Sequence, residues 1–591
     1  MKPVHHLTFL VLLLLCLAWL RLAAAAGQAQ PLHQTVESGT LTPTTTITTT
    51  LSANAFLPVI YKMPSPTPTL TPTSTSTPLP TPTPTSVVVL SQKPAFDLCR
   101  LPSISQMQTW WTYSPYYTIN LYLGGNNLVT CRSSNLTADW VSAVHSQGWI
   151  FIPTWVGPQA PCSPHNYYTM SDDPLLAYNE GRTEAEAALA VAASLGLTLS
   201  GTQGSVIYYD LEDFYPATTA CRQTVKSFLE GWVTRLHELG SRAGVYGAGC
   251  NSYVSDWATL VHFPDYVWLA AYNAGFYDPN ATVWNVACVS NSLWANHQRL
   301  RQYAATHNET WGSLTLAIDS NVADGAVVSP LVASTSDAAL SAGVVLTSAG
   351  APITAFQPVT ASAGWVLSEG RLRWTADGGA SWDDLAPINT VVLHAYFADV
   401  WRGWLVAVAA DSFALSLTTD GGQSWQTQAL PPLPAGDWRP LSLQFLDDQT
   451  GWIVFQRLSG SNFSLATMLA TRDGGQTWQI AALPIAGQAR FSDDQHGWIV
   501  GGATGSETFV TADGGITWLA ASIEDIQSVV PTTLPEGTVA NVFSDATHGW
   551  ALAINGACQG DKRRGAWLCH QQITLWQTAD GGETWTRLEG Y

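Results

Sequence analysis

The rhythm of apolar and polar positions changes three times along the chain. Lys2 precedes an apolar run from Leu7 to Leu20, which Arg21 closes and the small residues Ala23 to Gly27 follow. This order predicts a secretory signal peptide over residues 1–26, because the run is short for a bilayer span and ends on an arginine. Residues 27–92 lose the apolar rhythm in favour of Thr, Ser and Pro, ending in Pro-Thr repeats. Such a segment buries too little apolar surface to fold and prefers extended conformations, so it predicts a stalk.

From Lys93 the pattern turns to short apolar runs separated by helical stretches. Strands are expected at Ala95–Leu98, Thr118–Leu123, Trp149–Trp155, Ser205–Glu212, Ala243–Tyr246, Tyr266–Tyr272, Leu300–Tyr303 and Leu314–Asp319. The clearest helices are Glu180–Leu195 and Cys221–Leu239. Eight strands with intervening helices over residues 93–325 predict a (β/α)8 barrel of the TIM type.

Residues 326–591 are repetitive. The octet Thr-x-Asp-Gly-Gly-x-(Ser/Thr)-Trp starts at Thr375, Thr418, Thr471, Thr511 and Thr578, and a Gly-Trp step precedes each copy. Repeats of this kind predict an all-β propeller of five blades, with Val327–Ser348 as room for a sixth. Within each octet the Asp can accept hydrogen bonds from its own turn, and the paired glycines permit positive φ.

Composition narrows the function classes. The 591 residues exceed one ordinary core. Acidic side chains number 43 against 24 basic, a formal charge of −19 with no basic patch, which argues against a nucleic-acid partner. Charged residues are scarce and tryptophans abundant, a balance suited to an extracellular, carbohydrate-facing protein. Cys16 falls in the signal run; six further cysteines lie in the barrel region and two, Cys558 and Cys569, near the end. Even counts predict disulfides formed in an oxidising compartment, with Cys558 paired to Cys569. The spacing offers no metal site, and no cofactor is expected.

The candidate chemistry is acidic. Asp97, Asp210, Glu212 and Asp319 stand at or near the carboxyl ends of expected strands, the face that carries active sites in such barrels. Asp210 and Glu212 are two apart on one strand, so both point the same way, about 7 Å apart at Cα. Glycosidases use paired carboxyl groups, one protonated and one ionised, and crowding acids raises the pKa of one of them.

Phe96-Asp97, Tyr209-Asp210-Leu211-Glu212, Gly244-Val245-Tyr246, Trp268-Leu269-Ala270, Gln302-Tyr303 and Asp319-Ser320-Asn321 resemble family 25 lysozymes. The domain is more closely similar to a glycoside-hydrolase-like family of secreted actinobacterial proteins, as Pro153 to Cys162 and Gly181 with Glu184 suggest. The resemblance implies Glu212 as general acid and Asp210 as its partner or as stabiliser of a reacting acetamido group. It implies that Asp97 and Asp319 hold the charge pattern and sugar hydroxyls, and that Trp155, Gln159, Tyr246, Tyr272 and Gln302 line the groove. The repeated octet resembles the Asp box of bacterial-neuraminidase repeat propellers, and with its Gly-Trp step the propeller of photosystem II assembly factors. In sialidases these turns lie away from the site, so the propeller is expected to bind or scaffold. The reading is a secreted glycosidase of the lysozyme-like muramidase class, with association to the cell surface left open. Cell-wall polysaccharide is its expected partner, with room for a protein partner on the propeller. The alternative is a non-catalytic carbohydrate-binding or surface-interaction protein.

Overall fold

A computed structural model describes residues 87–591, except 165–166, 274, 331–344, 350–351, 386–389, 410–411, 435, 460–462, 523–532 and 563–565. The expected signal peptide, most of the stalk and most of the sixth-blade segment fall outside the described residues.

The N-terminal module is a closed barrel of eight strands: β2 (Pro94–Asp97), β3 (Thr118–Gly124), β4 (Ile150–Trp155), β5 (Val206–Asp210), β6 (Arg242–Ala248), β7 (Tyr266–Ala270), β8 (Arg299–Trp311) and β9 (Leu314–Val328). A further strand, β1 (Val88–Ser91), pairs antiparallel with the end of β9. Strands β2 to β8 pair in parallel in chain order, whereas β9 runs antiparallel to both β8 and β2 and closes the ring. The parallel strands carry apolar residues on both faces because helices cover them outside; Ile119, Leu121, Ile207 and Val245 are fully buried.

Five helices follow β2 to β6 among the described residues: α1 (Ile104–Tyr113), α2 (Ala138–Gln147), α3 (Pro174–Ser194), α4 (Thr219–Glu238) and the short α5 (Val254–Trp257). Local sequence starts them: Ser103 and Gln106 form a reciprocal capping box on α1, and Asp173 caps α3 ahead of Pro174. Helices α3 and α4 approach closely at Gly181 and Gly231, where a Cβ would meet the carbonyl oxygens of Phe228 and Tyr178 at 2.1 and 2.0 Å.

The expected (β/α)8 barrel is therefore corrected to a closed eight-stranded barrel with five helices among the described, mostly β residues. The reason is local. Between β7 and β8, Asn285, Cys288, Trp294 and His297 all have positive φ, which no helix tolerates in succession. Between β8 and β9 only Gly312 and Ser313 intervene, both left-handed (φ 57° and 65°), so the chain folds straight back as a hairpin.

The C-terminal module holds four separate four-stranded antiparallel sheets, spanning 353–384, 392–429, 438–483 and 487–520. The fifth repeat, with strands Thr538–Phe543, Gly549–Asp561, Ala566–Thr578 and Thr586–Arg587, is continuous with the barrel sheet through Gly556 opposite Trp311. The arrangement is propeller-like with four free-standing blades, not five.

All five octets build one turn. In the first, Thr375 Oγ1 donates to Asp377 Oδ1 at 2.8 Å and accepts from the Gly379 N–H at 2.8 Å. Ser381 donates through its N–H and hydroxyl to the two oxygens of Asp377 at 2.9 and 2.6 Å. Asp420, Asp473, Asp513 and Asp580 repeat the pattern. Donation by the Ser or Thr hydroxyl, then by backbone N–H groups, holds Asp377, Asp420, Asp473 and Asp513 at pKa about 2. A depressed folded pKa stabilises above the unfolded value and is lost as pH falls through the folded one. The urea midpoint of the chain is therefore expected to fall between pH 4 and pH 2, and the fall is expected to shrink in Asp473→Asn. A midpoint indifferent to this range would contradict the assignment.

The barrel and blades are in direct contact. Arg457, fully buried at the end of a third-blade strand, forms an ion pair with Asp213 just beyond β5. Phe463 packs on Tyr122, Leu128 and Val156, with its ring 4.8 Å from that of Tyr167. On the flank of the barrel, buried Lys562 donates to the carbonyls of Trp111 and Ser114 at 3.3 and 3.0 Å and to that of Tyr116. Its ammonium lies 4.4 to 5.0 Å from the rings of Trp111, Tyr117 and Trp149. The strands that carry it are tied by Cys558–Cys569, the expected pair; Cys99–Cys131, Cys162–Cys221 and Cys250–Cys288 tie the barrel loops. Such crosslinks suit an oxidising, extracellular setting. No described helix is long and apolar enough to cross a membrane.

Candidate active site

Strand register alone assembles the inner ring of the barrel mouth, because directly paired residues share a face. Asp97 pairs with Asp319, Tyr122 with Thr154, Asp210 with Tyr246, and Gln302 with Asn321. Asp97 and Asp319 are fully buried, and Asp210 and Glu212 are 1% and 5% exposed. Burial, and after it the charge of Asp97, Asp210, Asp319 and Glu212, disfavours ionisation of the Tyr122 phenol, so the four acids converge on that ring.

A polar network holds them. Gln302 Nε2 donates to both oxygens of Asp97 (3.1 and 3.0 Å) and to Asp319 Oδ2 (2.9 Å). Its Oε1 accepts from the phenols of Tyr246 and Tyr272, each at 2.8 Å. Asn321 donates to Asp97 and accepts from the Trp268 indole, while Thr306 donates to Asp319 at 2.8 Å. These amide and hydroxyl donors fix the orientation of both carboxyl groups.

Asp210 differs. Burial, opposed by a hydrogen bond with Glu212 and reinforced by the charge on Asp97, pushes its carboxyl up to about 7. Its Oδ1 is buried without a hydrogen-bond partner. A carboxyl pair of this kind shares a proton near neutral pH, one member able to give it and the other to carry charge.

The nine residues expected at the site are not all brought together. Asp97, Asp319, Tyr246, Tyr272 and Gln302 form the network, with the hydrogen-bonded pair Asp210 and Glu212 beside it. Gln159 sits behind it: its Nε2 donates to the Asp210 carbonyl (2.7 Å) and its Oε1 accepts from the Glu212 N–H (2.8 Å), clamping the backbone that carries the pair. Trp155 faces the other way. It pairs with Tyr209, whose ring packs on Phe228 and Trp232 of α4, and its indole N–H donates to Glu184 on α3. Tyr122, Asn321, Thr306, Asp213 and Arg457 were not foreseen as site residues. Period-two phase along β3 points to Tyr122, but no local signal links Arg457 to Asp213. Among the described residues, no group of three or more His, Cys, Asp or Glu is placed to hold a metal ion.

A further buried acid, Glu309 on β8, accepts from Tyr116, Ser320 and Trp311 and bonds His307 at 2.7 Å. Ser320 and Glu309 address the same ring nitrogen of His307, so no relay runs through the imidazole.

A family model described as Rv2525c-like, glycoside hydrolase-like domain matches residues 108–323, which include Asp210, Glu212, Gln302 and Asp319. No curated protein sequence matches the chain. Among solved structures, the chain is similar to YCF48 bound to D1 peptide (19% identity, TM-score 0.24, 40% of this chain and 80% of that one). A GH74 enzyme of Niastella koreensis matches at 12% identity and TM-score 0.26, over 42% of this chain and 46% of that one. The catalytic domain of endolysin ply40 from a Listeria monocytogenes bacteriophage matches at 12% and 0.25, over 39% and 93%. The chain thus spans less than half of the GH74 enzyme. The family match likens the barrel to a glycoside hydrolase-like domain and supports a carbohydrate-related function.

Proposed function

We propose that the barrel is a secreted glycosidase of the lysozyme-like muramidase class, cleaving a β-linked cell-wall polysaccharide, peptidoglycan foremost. The observation that carries this reading is the proton-sharing pair Asp210–Glu212 inside a ring of four carboxyl groups. Glu212, the less buried member, delivers the pair's shared proton to the leaving oxygen, drawing it from Asp210 across their hydrogen bond. Asp210 is thereby left with the negative charge that steadies the oxocarbenium-like centre or a reacting acetamido group, and Asp97 and Asp319 orient sugar hydroxyls. Gln159 keeps the pair in place through its backbone. The propeller holds a polymer or a surface protein near the cleft.

The test is release of reducing ends from purified peptidoglycan by the full chain. Glu212→Gln is expected to lower the rate by at least about 100-fold, the usual contribution of a positioned acid, without shifting the thermal midpoint. Equal, nonzero rates would remove Glu212 from the mechanism. Release by neither protein would favour a carbohydrate-binding barrel, a reading that the deep burial of the acids also supports.

A further inference from the structure

Where the blades meet the barrel rim they leave a cavity of about 610 Å³, lined on the barrel side by Tyr272, Arg301 and Asn251 and on the blade side by Phe413, Trp438 and Arg439. That volume lies within the range of small-molecule sites. Tyr272 belongs to both places: it lines the cavity, and its phenol donates to Gln302 Oε1, one bond from Asp97 and Asp319.

The cavity's charge is opposite to that of the ring. Arg301 is 8% exposed and held by the carbonyls of Ala271 and Thr282 at 2.8 and 3.0 Å, and Arg439 reaches the Tyr272 carbonyl at 3.5 Å. Neither guanidinium is in an ion pair among the described residues, and Asp437 is the one carboxylate among the lining residues. Planar guanidinium forks match carboxylates in geometry. The indole N–H of Trp438 is spent on the Pro434 carbonyl, so what the half-buried ring offers a ligand is its apolar face, as does Phe413.

We propose that this cavity is a subsite for a carboxylate-bearing pyranose unit of the saccharide whose neighbouring linkage is presented to the acid ring. The proposal rests on the glycosidase reading above. Arg439 and Arg301 receive the carboxylate, and Trp438 stacks on the sugar face. The propeller thereby sets specificity.

The test uses the full chain carrying Glu212→Gln, so that ligand binding is read without turnover. Calorimetric titration compares a β-1,4-linked glucuronic acid tetrasaccharide with cellotetraose, its neutral counterpart. The acidic probe is expected to bind at least tenfold more tightly. Arg439→Ala, at an exposed position, is expected to erase that preference, Arg439→Lys to restore part of it, and Trp438→Ala to weaken both probes. Equal affinities, no binding of either probe, or a preference that survives Arg439→Ala would overturn the proposal. Acid preference in a protein that releases no reducing ends defeats the hydrolase reading alone. Cleavage without acid preference defeats the subsite alone.

Discussion

Asp210→Asn is expected to abolish reducing-end release and, at the same time, to make the protein more stable than wild type at neutral and alkaline pH. Both effects come from a folded pKa of about 7 where an unfolded aspartate titrates near 3.8. Between these values the unfolded chain has lost its proton and the native one keeps it, so wild-type stability falls as pH rises from 4 to 7 and is level beyond. A shift of this size corresponds to on the order of 4 kcal/mol, because each pKa unit is about 1.4 kcal/mol. The asparagine has no proton to lose, so the gap between variant and wild type is expected to open from pH 4 to pH 7. Denaturation midpoints over that range measure it. Wild-type activity is expected to decline with an apparent pKa near 7 on its alkaline side, as the pair gives up its shared proton. A variant whose stability tracks wild type at every pH would show that the carboxyl is not buried as described.

Arg457→Ala should be the most damaging single change outside the ring. The guanidinium is fully buried and pairs with Asp213, itself largely buried and already shifted upward by desolvation. Removing one member of a buried pair costs about 3–5 kcal/mol, because the remaining charge is left in a low-dielectric site. Here that charge sits one residue from Glu212, in a region that already carries four other acids. Thermal melting is expected to show the loss, and Arg457→Ala/Asp213→Ala to recover a large part of it in a double-mutant cycle. If the double variant is as unstable as the single one, the pair does not join blade to barrel in the way described.

The two modules were legible to different depths. All eight barrel strands announce themselves as apolar runs, and two-residue spacing alone puts Asp210 and Glu212 on one face. The same alternation, followed strictly along β4, turns Trp155 away from Tyr122 and Thr154 and toward the helices; an aromatic residue in a site-like motif outweighed its phase. The barrel type was misread because eight strands were counted without weighing Gly312-Ser313 as a hairpin turn, or the Asn-rich stretch before β8 as a helix breaker. Five octets implied five equal blades, yet pairing to β8 draws the last one into the barrel sheet. The packing of the blades beside the acid ring was invisible because it runs through Arg457 and Phe463, more than two hundred residues from their barrel partners Asp213 and Tyr122. Contacts of that span leave no periodic trace in a sequence.

The central claim is that four carboxyl groups lie close enough together at the barrel mouth to hold a proton on the Asp210–Glu212 pair at neutral pH. Carbon-13 NMR of aspartate carboxyls in the full chain, with the Asp210 resonance assigned through Asp210→Asn, reads this without substrate. A titration midpoint near 7 is the predicted result. A midpoint near 4, the value of an ordinary exposed aspartate, would contradict it.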